Sequence, residues 1–73
     1  MTKLSQLLSV ISNGENLWIW KIRRDNQNIT SHSRFKFQTR TIPDLLELYG
    51  DPEVKLITPV GDEFHISVWD DEI

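Results

Sequence analysis

The 73-residue chain holds no cysteine, three tryptophans, 38% apolar residues and a formal net charge of −3, which excludes a disulfide framework, thiolate catalysis and the usual zinc knuckles together. Its apolar runs are too short to cross a bilayer, so no membrane association is expected. At this length it is expected to form one domain, residues 1–73, near the lower limit at which a single core holds. A chain without cysteines suits a reducing setting, so a cytoplasmic location is expected.

In chain order, Leu4, Leu7, Leu8 and Ile11 stand at the i, i+3, i+4, i+7 spacing of an amphipathic helix. Thr2 is available as its N-cap and Asn13-Gly14 as its stop, which predicts a helix over residues 3–12. Polar residues separate these apolar positions, so the segment reads as part of the fold rather than as a secretory leader. The strand-like runs "NLWIWKIRR" and "ITSHSRFKFQ" follow, joined by the turn-rich "DNQN". The helical spacing returns at Ile42, Leu45, Leu46 and Tyr49, with Thr41 as N-cap, Pro43 and Asp44 in the first turn and Gly50 at the end. Two further strands, "EVKLITPV" and "FHISVW", meet at "GDE". The order helix, strand, strand, helix, strand, strand resembles a degenerate repeat. It predicts a two-layer α+β domain: a four-stranded antiparallel sheet with both helices on one face.

One face of such a sheet meets water and should be polar. Phe35 and Phe37 alternate with Arg34 and Lys36 as that requires, and Phe64, Ile66 and Val68 alternate with His65, Ser67 and Trp69. The third strand is expected to send Val54 and Leu56 inward and Ile57 outward. Strand one leaves two facings. Either Trp18, Trp20 and Ile22 meet the helices while Leu17, Ile19, Lys21 and Arg23 face out, or a strict repeat alignment reverses the set. The first is preferred because Lys21 and Arg23 are costly in so small a core. The expected partner-binding surface is then Leu17, Ile19, Lys55, Ile57, His65 and Trp69, with Asp70, Asp71 and Glu72 as its acidic edge. Set against this, Trp69 folds against the tail, and a loop or a twin subunit covers strand one.

Charge is uneven along the chain. Residues 21–40 hold six of the eight basic residues against one acid, Asp25, whereas residues 41–73 hold one basic residue, Lys55, against nine acids. The acidic half suggests a surface that imitates nucleic-acid phosphates and occupies a basic groove, or one that only solubilises. The basic and aromatic residues Arg34, Lys36, Lys55 and Trp69, joined by Trp18 and Trp20 where these face out, suggest instead a single-stranded nucleic-acid platform. No nucleophile elbow or phosphate loop is present, so no enzymatic activity is expected. His32 and His65 with Asp70 or Asp71 would need the fold to gather them before they held a metal. No cofactor or metal is expected.

The compact layout, the opening "MTKLSQLL", the unit "TIPDLLELYGDPEVKLI" and the acidic finish "VWDDEI" resemble the small proteins of bacteriophages and prophages, among them anti-CRISPR, anti-restriction and host-takeover inhibitors. The resemblance lies in size and charge rather than in a motif, so no binding residue is carried over. It implies a non-enzymatic inhibitor or modulator of a host or defence protein, such as a nucleic-acid enzyme, working by surface contact. A single-stranded nucleic-acid-binding domain and a self-associating homodimer are the alternatives.

Overall fold

A computed structural model describes residues 1–71, so the expectation for Glu72 lies outside the described residues. The elements are α1 (Leu4–Leu8), β1 (Asn16–Arg23), β2 (Ile29–Lys36), α2 (Ile42–Tyr49), β3 (Val54–Val60) and β4 (Glu63–Asp70), with one 3-10 turn over Thr39–Thr41 before α2. The two-layer α+β architecture and its element order are those expected.

α2 forms where its residues direct. Pro43 sits in the first turn, Asp44 favours the positive end, and Gly50 closes the helix at φ 74° with its N–H on the carbonyl of Leu46. Thr41 does not cap the helix; its hydroxyl donates to the carbonyl of Gln38 at 2.6 Å. α1 is shorter than the periodicity predicts. After Leu8 the chain tightens into i→i+3 bonds from Val10 to Leu7 and from Ile11 to Leu8. Its start is held from outside, by Asp51. One carboxylate oxygen of Asp51 accepts from the Ser5 N–H at 2.8 Å and the other from the Ser5 hydroxyl at 2.9 Å. Asp51 reaches there because it adopts φ 50°, one residue after the left-handed Gly50.

The sheet order is β2-β1-β4-β3. The outer pairs are antiparallel, but the central pair β1/β4 is parallel, which corrects the all-antiparallel expectation. The cause is α2, which carries the chain back to the end of the sheet where β2 began. β3 therefore runs with β2, and β4 returns alongside β1. The repeat suggested by the sequence is not a structural one, since β1 is central and its counterpart β3 is an edge.

The core facing of β1 is the reverse of the preferred one. Leu17 and Ile19 are fully buried with Ile66 and Val68, under Leu4 and Leu8 of α1 and beside Phe37. Side chains of α2 (Ile42, Leu45, Leu46 and Tyr49) pack against this cluster. Burying each such side chain is worth about 1.5–3 kcal/mol. Lys21 does share this face, but β1 reaches the rim of the core there, where Lys21 lines an open recess with Glu53, Asp70 and Asp71. The charge that argued against this facing is thus never placed in the apolar centre.

A bulge turns β3. Val54 pairs with Val68 and Leu56 with Ser67, so two steps on β3 match one on β4 and Lys55 is the extra residue. Beyond it the alternation is inverted: Leu56, Thr58 and Val60 join the open face, while Ile57 lies opposite Ile66 on the helix side. Leu56 facing inward and Ile57 facing outward are both corrected by this one inserted residue.

Candidate functional site: the open sheet face

The face away from the helices is built in rows across the strands. In one row Arg34, Trp18, His65 and Thr58 stand side by side, and in the next His32, Trp20, Ser67 and Leu56. Trp18 and Trp20, two residues apart on β1, stack with centroids 5.2 Å apart and planes within 14°. His65 stacks on Trp18 at 5.5 Å, and His32 lies 5.0 Å from Trp20.

The polar edges of this aromatic layer are satisfied within it. Trp20 Nε1 donates to His65 Nδ1 at 3.2 Å, and Trp18 Nε1 donates to Glu63 Oε2 at 3.0 Å. The other Glu63 oxygen accepts from Arg34 Nε at 2.6 Å. The Arg34 guanidinium first, and the Trp18 N–H second, hold the Glu63 carboxyl below the usual carboxylate range. The layer acts as a small second core, closed by an ion pair. Its ring faces are spent on one another.

Beside it lies an apolar hollow of about 330 Å³, whose lining includes Trp20, Ile22, Ile29, Leu56 and Val60. Ile29, Leu56 and Val60 are 56%, 42% and 51% exposed. Ser67 lines it too, the small side chain between Trp20 and Leu56 in its row.

Of the expected contact residues, His65 is on this face. Leu17 and Ile19 are in the core and offer no contact surface. Ile57 lies at the margin of the helix side, where it lines a small recess with Val10 and Phe64. Trp69 pairs with Ile22 in register but is sheathed by cations, with Arg24 Cζ 4.6 Å and Lys55 Nζ 5.6 Å from its ring centroid. Asp70 is only 8% exposed and accepts from the Thr30 hydroxyl at 2.7 Å, so it is not an edge for a partner. Asp71 is exposed but is bound by Arg24 at 2.9 Å, and that side-chain hydrogen bond lowers its carboxyl from the ordinary value. Lys36 is exposed, whereas Arg34 is committed to Glu63.

The same geometry pairs part of the two charged blocks of the sequence with each other. Docking β4 on β1 brings Arg34 to Glu63 and Arg24 to both Glu53 and Asp71. With Asp51 holding α1 and Asp70 holding Thr30, five of the nine acids expected to form a phosphate-like surface serve the fold. Among the described residues no group of three or more His, Asp or Glu side chains is placed to hold a metal, and the two histidines flank tryptophans instead. No helix of the described residues is long and apolar enough to cross a membrane.

Ile22, Ile29, Leu56, Thr58, Val60 and Ser67 were not among the expected site residues, and Trp18 and Trp20 entered only the nucleic-acid alternative. Two signals pointed to them. The strict repeat alignment turned the tryptophans outward, and the adjacent pair Leu56-Ile57 showed that β3 is apolar on both faces. No protein-family model, curated protein sequence or solved structure matches the chain.

Proposed function

We propose that this chain is a non-enzymatic protein-binding module that meets its partner through the open sheet face. The observation that carries the reading is the exposed apolar strip Ile29, Leu56 and Val60 beside Trp20 and Ile22, on the face turned away from both helices. Its use as an inhibitor or modulator of a host or defence protein belongs to the same proposal and is supported by the likeness to small phage proteins in size and charge. Binding of single-stranded nucleic acid has less support. The tryptophan faces are stacked on each other and on histidine, and Arg34 is neutralised by Glu63, which leaves few free rings and cations for bases and phosphates.

The test is capture of a partner from the host cell, followed by binding of the purified pair. Leu56→Asp and Val60→Asp should abolish binding while circular dichroism stays unchanged. Binding that survives both substitutions rejects the face. Sedimentation velocity of the isolated protein separates this reading from a homodimer, which would dissociate in the same variants with no second protein present.

A further inference from the structure

The hollow has a shape and a chemistry of its own. It exists because Ser67 stands between Trp20 on β1 and Leu56 on β3 in one row of the sheet, so a small side chain leaves a dip among large ones. Its volume of about 330 Å³ is room for roughly ten water-sized groups. No Asp, Glu, Lys or Arg lines it, so the occupant is uncharged. Trp20 lines the hollow with part of its indole, beside the side chains of Ile22 and Leu56, and this apolar, partly aromatic wall favours a flat ring.

Ser67 supplies the polar requirement. It is only 9% exposed, it lines the hollow, and its hydroxyl has no hydrogen-bond partner among the described residues. In the free protein water reaches that hydroxyl. A purely hydrocarbon occupant would expel the water and leave the hydroxyl unpaired, whereas a ring bearing its own hydroxyl restores the bond. We propose that the hollow is the anchor pocket of the open face and takes the phenol side chain of a tyrosine on the partner protein. This rests on the binding role proposed for that face.

The experiment uses p-cresol and toluene, which are the side chains of tyrosine and phenylalanine, titrated into the protein and followed through its backbone amide spectrum. p-Cresol should shift the amides of Ser67, Leu56 and Ile22 and bind roughly tenfold more tightly than toluene. Ser67→Ala should bring the two affinities together. Equal binding of both by the unsubstituted protein, or shifts scattered over the surface, overturns the anchor without reference to any variant. If Leu56→Asp abolishes partner capture while p-cresol shows no preference, the anchor fails and the face stands. If p-cresol binds selectively while Leu56→Asp leaves capture intact, the protein-borne tyrosine is overturned together with the face.

Discussion

The indole N–H of Trp20 donates to Nδ1 of His65 across the parallel junction of β1 and β4, at 3.2 Å. His65 also stacks on Trp18 and Trp20, so one imidazole joins both tryptophans to β4. Replacing His65 by Ala should lower stability by about 1–2 kcal/mol, from the lost ring contacts and the unpaired indole N–H. The urea midpoint should fall and tryptophan emission should shift to longer wavelength. His65→Phe should recover part of the stacking and none of the hydrogen bond.

Acid should loosen the same layer. The Glu63 carboxyl lies below its ordinary value of 4.5 in the folded chain, chiefly because of Arg34. A carboxyl depressed on folding stabilises the fold at pH values above its unfolded value and loses that contribution as pH falls through the folded one. Urea midpoints should therefore decline below about pH 4.5. Glu63→Gln, which has no charge to lose, should show a shallower decline over that range.

The two faces of β1 should respond differently to truncation. Leu17→Ala removes a fully buried side chain and should cost about 2–5 kcal/mol. For a chain of this size that approaches the whole folding free energy, and calorimetry should show little or no cooperative transition. Leu56→Ala, at a position 42% exposed, should cost less than about 1 kcal/mol.

Asp51 should matter more than a surface turn residue. Its carboxylate holds both the N–H and the hydroxyl of Ser5 from a left-handed backbone. Asp51→Ala should cost about 1–2 kcal/mol by loss of the cap and strain at positive φ. Asp51→Asn, which tolerates that backbone and keeps an acceptor, should recover most of the urea midpoint.

How much of this was legible depends on how locally each feature is determined. α2 was readable because Pro43, Asp44, the apolar spacing and Gly50 act within a few residues of one another. The facing of β1 was not. Its alternation allows both solutions, and what decides between them is that the strand ends at the rim of the core, which relieves Lys21 of burial. Only the whole sheet shows where that rim falls. The bulge at Lys55 was hidden for a similar reason. An inserted residue leaves the apolar content of β3 unchanged and moves Leu56 and Ile57 to opposite faces, with only the neighbouring apolar pair as a trace. The charge layout misled because ion pairs such as Arg34 with Glu63 join residues 29 positions apart, a distance over which sequence counting sees two segregated blocks.

Pairing β1 directly with β4 also sets the order in which the molecule can assemble. Each hairpin is local, but a two-stranded hairpin is marginal by itself, and the junction that buries Leu17 and Ile19 needs partners about as far apart as Trp18 and Glu63, which are separated by 45 positions. During synthesis β1 therefore has only β2 as a strand neighbour until β4 has left the ribosome. Closing the sheet around β1 is then a long-range step that local hairpin formation cannot complete by itself.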